Sequence, residues 1–426
     1  MMITIAIIVI LLALVLGAPV FCVFAAAALL GWYADGISIS VVGTDIFRLA
    51  GNFVLITIPL FTFSGYLLGE SGAPQRLVRL SGALFGWMPG GLAIVAIVAC
   101  SLFTAFTGAS GVTIVALGAL LLPALIHDRY RENFSLGLVT TGGSLGLLFA
   151  PSVPLIIYGV ITETPISDMF VAGALPGILM LIILCLFGVF TAQKQDIPKT
   201  AFHWRPLGQA LWEAKWELPL PIVVFGGIYG GFFAVSEAAA VTAFWVLVVE
   251  VLIYREISFA QLRKVIIDSM VMVGGILIIM AAAMAFTNYF IDVDVPQMIF
   301  DFIKQFVSSK IVFLLLLNVF LFILGMLLDI FSALVVVVPI IMPVALSYDV
   351  NLVHLGIIFL ANMQIGYLTP PLGMGLFIAS YRFNKNILQI TAACLPFIAL
   401  LVGSVLVITY WPDLSLLLLR MMGKPY

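Results

Sequence analysis

From Trp87 to Ile126 the chain carries no Asp, Glu, Lys, Arg or His, yet both flanks are basic: Arg76 and Arg79 before it, Arg129 and Arg131 after it. Basic loops stay on the cytoplasmic side of a membrane. A single crossing would put the two flanks on opposite sides, so the segment must enter and leave by the same face. Its middle is broken by Phe106-Thr107-Gly108-Ala109-Ser110-Gly111. Glycines and hydroxyls at that depth are costly in lipid unless they line a cavity or are buried in protein. The two legs are roughly 17 residues each, at the short end for spanning. The segment therefore reads as a re-entrant hairpin open to the cytoplasm, with its tip at Thr107–Gly111.

The rest of the chain has the same character. Of 426 residues 64% are hydrophobic and 9% charged, and the mean hydropathy is +1.26. Soluble domains carry about 25% charged residues, so the chain is an all-α polytopic membrane protein. A β-barrel would alternate over strands of about 10 residues, which these long apolar runs do not. Cys22, Cys100, Cys185 and Cys394 lie inside apolar runs and read as small core residues, not as a disulfide set or a metal site. Met2–Leu16 has no basic leader and reads as a retained helix. No basic tract suggests nucleic acid. There is no phosphate-binding Gly-x-x-x-x-Gly-Lys-Ser/Thr and no His-Glu-x-x-His.

Thirteen of the eighteen Lys and Arg fall into five groups: Arg76/Arg79, Arg129/Arg131, Lys194/Lys199/Arg205/Lys215, Arg255/Arg263/Lys264 and Arg382/Lys385. Placing all five inside dictates the path. Ile3–Leu16, Val20–Leu30 and Asn52–Gly69 cross, the first hairpin follows, and Phe134–Val160 goes out with a break at Ala150-Pro151-Ser152-Val153-Pro154. The segment Thr162–Asp168 is an outer loop and Met169–Ala192 returns. His203–Glu217 lies in the inner interface. Leu218–Phe233, Ala234–Tyr254 and Val265–Phe290 cross in turn to an acidic outer loop at Asp292-Val293-Asp294. Leu352–Tyr381 crosses inward, so Ile311–Leu346 must begin and end outside. It is a second hairpin, opening the opposite way, with its break at Gly325–Ser332. Gln389–Trp411 leaves the C-terminus outside. Arg48, Lys304, Lys310, Arg420 and Lys424 break the bias. Cysteines placed at Pro198 and Arg382 are expected to label from the cytoplasm; labelling from opposite sides would break this topology.

The chain also matches itself at a shift of 220: Pro123 falls on Pro343, Gly146 on Gly366, Pro151 on Pro371, and Leu175-Pro176 on Leu395-Pro396. Each half is helix, hairpin, broken helix, helix, and the halves start on opposite sides. Inverted repeats with discontinuous helices are a transporter signature, with the site at the midplane where the repeats meet. Four breaks should converge there: Thr107–Gly111, Gly142-Gly143-Ser144 with Pro151–Pro154, Gly325–Ser332, and Gly366-Tyr367-Leu368-Thr369-Pro370-Pro371. Hydroxyls and freed carbonyls are hard, neutral oxygen ligands suited to an alkali cation. Ser110, Thr107 and Thr369 are the leading cation ligands, with Gly111, Gly143 and Gly366 offering backbone oxygens. Helix N-termini at the breaks favour a carboxylate on the substrate, and Thr107, Gly108, Ser152 and Ser332 are the positions expected to face it. Close helix packing is the competing use of such residues. Asp329 is an intramembrane carboxylate, functional by default; it neutralises a cation, takes a proton or caps the hairpin tip. Glu237 reads as an N-terminal helix cap. Glu250 and Asp268 read as solvated near the inner interface, and His127, His203 and His354 as structural or solvated. A passive channel is one alternative. Another is an intramembrane serine protease, since Gly108-Ala109-Ser110-Gly111 matches a Gly-x-Ser-Gly motif; that chemistry needs a His beside the Ser.

The sequence resembles the large membrane subunit of tripartite ATP-independent periplasmic (TRAP) transporters over nearly its whole length. The specific stretches are Leu145–Pro154 followed by Tyr158-Gly159, Phe170–Gly177, Gly226–Phe233 with Ser236–Ala240, and Gly366–Gly373, which includes Leu372. Ala150 stands where the family often has Pro, and Ser236 where Thr is usual. The resemblance implies a sodium-coupled importer of organic acids, such as a C4-dicarboxylate or a sialic acid, in the bacterial inner membrane. It implies an elevator fold of the ion-transporter type. Two partners follow from it: a small four-helix membrane subunit and a periplasmic substrate-binding protein. It places sodium at Ser110, Gly111, Asp329, Gly366 and Thr369. The expected division is 1–48 as N-terminal scaffold, 49–193 as the first repeat with hairpin 87–126, 194–264 as arm helix and connecting scaffold, 265–412 as the second repeat with hairpin 311–346, and 413–426 as a tail.

Overall fold

The computed structural model describes residues 2–108, 110–195, 197, 203–371 and 373–426. Ala109, Pro198, Lys199 and Leu372, all named above, lie outside the described residues. Every regular element among the described residues is helical. The first stretch holds α1 (Met2–Val15), α2 (Val20–Ala34), α3 (Ser40–Ala50) and α4 (Thr57–Glu70). After α5 (Ala73–Phe85) come α6 (Gly91–Thr107), α7 (Ser110–His127), α8 (Glu132–Leu145), α9 (Val153–Ile161) and α10 (Ile166–Lys194). A connecting stretch contains α11 (Trp204–Glu213), α12 (Pro219–Tyr229), α13 (Val235–Leu247, widening into a π-turn to Ile253) and α14 (Phe259–Asp292). The last stretch comprises α15 (Val295–Phe306), α16 (Lys310–Leu327), α17 (Ile330–Ser347), α18 (Leu352–Gly366), α19 (Met374–Phe383), α20 (Ile387–Tyr410) and α21 (Asp413–Met421). Among the described residues eight helices are long and apolar enough to span a bilayer, and α8 with α9 makes a ninth, bent by 40° at its break.

The 220-residue shift is visible in the element boundaries. It carries α7 onto α17 at both ends and the start of α8 onto the start of α18, and it brings the starts of α9 and α10 within a residue of those of α19 and α20. Both breaks carry a cis X-Pro bond, at Ala150–Pro151 and Pro370–Pro371. Each hairpin is preceded by an amphipathic helix. α5 presents Gln75, Arg76 and Arg79, and α15 presents Gln297, Asp301 and Lys304. Residues 295–306 are left unassigned when only long apolar runs are followed, because polar positions at helical spacing interrupt them.

The two hairpins are not packed alike. The legs of the first, α6 and α7, lie against each other and against α8. In the second, α16 packs on α18, while α17 packs on α14, α9 and α15. The α16–α18 crossing is bare backbone: a Cβ on Gly366 would stand 2.5 Å from the Gly325 Cα and carbonyl carbon. Nearby, the Asn362 amide donates to Asn318 (2.6 Å), and Asn318 bonds Thr409 (3.0 Å), so three helices are joined by buried polar groups. His354 is buried beside them, against Ser415 Oγ (3.1 Å) and the Thr409 carbonyl (3.2 Å), in a structural role. The Glu237 carboxylate accepts from the Ala234 amide (2.9 Å), capping α13 as expected.

Several readings are corrected. Glu250 is fully buried and not solvated, because Arg76 reaches it from α5. The outer loop ends sooner than Asp168: α10 starts at Ile166, with Asp168 in its first turn and buried under Lys424 and Tyr426. Cys22 is exposed on α2, so it is not a core residue. Residues 413–421 are helical.

Candidate functional site

α6 stops at Thr107 because Gly108 takes a left-handed conformation (φ +64°), which a side chain would resist. The space is also closed there. A Cβ on Gly108 would lie 2.7 Å from Val153 Cγ2, at the start of α9, and one on Gly65 of α4 would lie 2.3 Å from the Thr107 Cα. The first tip is thus gripped by α4 and α9. Behind it the Thr104 hydroxyl meets the Thr113 hydroxyl (2.6 Å) and donates to the Gly143 carbonyl (2.9 Å).

The second tip is made by Asp329. It caps α17 by accepting from the Phe331 amide (3.0 Å) and the Ser332 amide (3.1 Å). Both bonds use Oδ2. Among the described residues Oδ1 accepts no hydrogen bond, so the cap leaves half of the carboxylate for another partner.

The two tips share one cavity of ≈ 550 Å³. Gly108, Ser110 and Gly111 line it from the first hairpin, and Asp329, Ile330 and Phe331 from the second. Tyr367, just past α18, also lines it, with its phenol beside the Ser110 hydroxyl and near Asp329. Leu147 lines it at the position a shift of 220 carries onto Tyr367. The rim carries exposed Glu70, Lys264 and Asp268, at the ends of α4 and α14 that adjoin Arg76 and Arg263. By the basic-loop rule the mouth faces the cytoplasm. Counting Asp329, the lining holds three carboxylates and one lysine, a field that favours a cation at the tips.

Of the residues singled out from sequence, Gly108, Ser110, Gly111 and Asp329 meet in this cavity. Thr107, Gly143, Ser152, Ser332, Gly366 and Thr369 sit behind its wall. The Gly143 carbonyl accepts from Thr104, and the Thr369 hydroxyl donates to the Ile365 carbonyl (2.9 Å). Gly366 abuts Gly325. Ser332 and Thr107 are buried. Ser152 is fully buried at the N-cap of α9, and its hydroxyl has no hydrogen-bond partner among the described residues. Tyr367, Glu70 and Lys264 are not among the sequence-derived site candidates, and Asp268, read as solvated, is exposed at the rim. Helix-end charges resemble ordinary interface residues, and a lone tyrosine carries no pattern. The protease reading fails on geometry, since His354, the histidine nearest a membrane segment, is held by Ser415 and Thr409.

A family model described as "Tripartite ATP-independent periplasmic transporter, DctM component" matches residues 7–414. The chain belongs to this family. It is accordingly a multi-pass protein of the inner membrane and a transporter component, not an enzyme. Among curated proteins this DctM-family chain is 33% identical over 412 residues to the isethionate TRAP transporter permease protein DctMQ of Oleidesulfovibrio alaskensis, covering 95% of this chain and 64% of that one. It is 31% identical over 405 residues to the C4-dicarboxylate TRAP transporter large permease protein DctM of Vibrio cholerae, covering 90% and 89%. The chain thus spans less than two thirds of the isethionate relative and nearly all of the dicarboxylate one. Among solved structures the YdaH transporter of Alcanivorax borkumensis superposes with a TM-score of 0.61 over 88% of this chain and 87% of that one, at 16% identity. That likeness is one of fold.

Proposed function

We propose that this chain imports an organic acid across the inner membrane, driven by sodium, through an elevator motion of its hairpins and broken helices. A periplasmic binding protein delivers the acid, and a small four-helix membrane subunit completes the membrane part. The observation that carries this reading is the meeting of the two hairpin tips in one cavity. Ser110, Gly111 and the free Asp329 oxygen supply hard oxygen ligands of the kind an alkali cation takes. An anionic substrate would then sit beside the cation rather than against a bare carboxylate. The named relatives transport isethionate and C4-dicarboxylates, both acid anions, which supports the substrate class. A mouth at one face, with the first tip packed against α4 and α9, supports alternating access over a continuous channel.

Reconstituted uptake with both partners tests it. Uptake should require an inward sodium gradient and the binding protein; uptake indifferent to sodium sinks the coupling. Asp329→Asn should weaken apparent sodium affinity by about tenfold or more, the worth of one charged oxygen contact. Ser110→Ala should shift it in the same direction by less. Unchanged sodium dependence in both would return these residues to capping and packing.

A further inference from the structure

We infer that the second hairpin holds one anionic phospholipid in the outer leaflet, with an acyl chain between α15, α16 and α17 and its phosphate at Lys304 and Lys310. The inference is independent of the coupling ion and of the substrate. Because α16 and α17 diverge, a groove of ≈ 490 Å³ opens between them, walled on its third side by α15. Its lining is hydrocarbon throughout, including Phe306, Phe313, Leu317, Phe320, Ile341 and Val344. A packed interior does not leave such a space open, and no polar group in the lining would hold water there. On α16 the lining runs from Phe313 to Phe320, about 10 Å along the axis from near the outer end toward the tip. That is the direction a chain hanging from the outer surface would take.

The charge at the top of the groove identifies the headgroup. Of the five basic residues that break the inside bias, Arg420 is ion-paired with Asp413 and Lys424 with Asp168. Lys304 and Lys310 have no carboxylate within 4 Å among the described residues. Lys304 Nζ lies 5.2 Å from the Phe300 ring centroid, and Lys310 Nζ donates to the Asp349 carbonyl (2.7 Å). Both lysines border the same aromatic cluster. Tyr348 stacks on Phe313 (4.4 Å) and meets Phe300 edge-on (5.8 Å), and its hydroxyl donates to the Val307 carbonyl (2.6 Å). Phe313 and Val307 also line the groove, so cluster and groove are continuous. Asp301 is turned to Gln297 (3.1 Å). Two ammonium groups without acid partners attract an anion, and a hydrocarbon slot below them takes an apolar tail. A phospholipid phosphate with its acyl chain has both.

The test is native mass spectrometry of the delipidated full chain, given phosphatidylglycerol or phosphatidylethanolamine with identical acyl chains. One phosphatidylglycerol should be retained in preference by roughly tenfold or more. The Lys304→Gln/Lys310→Gln double variant, changed only at the surface, should bind both lipids equally. Leu317→Trp, which fills the slot, should release both. Equal retention by the wild type, or a preference that survives the double variant, overturns the proposal. So does a photo-crosslinker at Phe320 that captures the small membrane subunit in place of lipid.

Discussion

Arg76→Gln is expected to destabilise the protein by about 3–5 kcal/mol, the penalty for leaving buried charge uncompensated. Arg76 serves three carboxylates at once. Its Nε donates to Glu217, its Nη2 to Glu250 (3.0 Å) and its Nη1 to Glu256 (2.7 Å), while its guanidinium lies 4.0 Å from the Tyr254 ring centroid. Glu256 also accepts from the Gly72 amide (2.7 Å). The cluster ties α5, just before the first hairpin, to α13 and the turn into α12. Removing the one cation strands three acids, of which Glu250 is wholly buried. Burial already raises the Glu217 carboxyl above its ordinary value, and Arg76 opposes that rise. Without Arg76 the rise is larger. A carboxyl whose folded value is raised binds its proton more readily in the folded state. Its contribution is complete below the unfolded value and is lost as pH climbs through the folded one. The deficit of Arg76→Gln should therefore shrink as pH is lowered from about 8 toward the ordinary carboxylate range. Thermal unfolding in detergent across that range checks both statements. Arg79→Gln, which breaks the exposed pair with Glu213 (2.8 Å), is the contrast and should change stability by less than about 1 kcal/mol. Equal melting of the two variants would remove the cluster from the list of structural supports.

The second large effect is expected at the bare-backbone crossing. Gly366→Ala places a methyl 2.5 Å from the Gly325 Cα and carbonyl carbon, with no flexible side chain to give way. The helices must separate, at roughly 1–3 kcal/mol for the overpacking, and α18 would carry Tyr367 away from Ser110. Gly146→Ala should behave alike: its Cβ would stand 2.4 Å from the Ser101 carbonyl oxygen and from Thr104 Cβ. Gly403→Ala, with nothing within 4 Å, should be neutral or slightly stabilising. Melting and uptake measured together separate the outcomes. If Gly366→Ala melts like Gly403→Ala and transports normally, the crossing is looser than described.

What could be read from the chain alone follows from which forces act locally. Apolar length and basic grouping are imposed residue by residue by the bilayer, so both hairpins, the broken helix and the inverted halves could be read directly. The tips could be read because Ser110 and Asp329 are conspicuous in hydrocarbon. Thr369 and Gly366 are equally conspicuous, and the structure sets the Thr369 hydroxyl on the Ile365 carbonyl at the end of α18 and Gly366 against the Gly325 backbone. The Arg76 cluster brings together positions 76, 217, 250 and 256, and no spacing rule connects them. Glu250 sits near a basic group in sequence, which made solvent its natural assignment. α15 is hidden because a twelve-residue amphipathic helix lacks the apolar length that marks a crossing.

Leu147 and Tyr367 occupy matching places in the two halves, and both face the cavity. The scaffold is nearly reversible, but its chamber has a hydrocarbon floor on one side and a phenol on the other. The two ends of that chamber therefore differ in polarity even though the helices around them correspond. The same shift sets Ser110 against Ile330 and Gly111 against Phe331, so a near-symmetric frame encloses a chamber with unlike ends. Tyr367→Leu would remove the phenol from that list of differences and leave the hairpin-tip pairs as unlike as before.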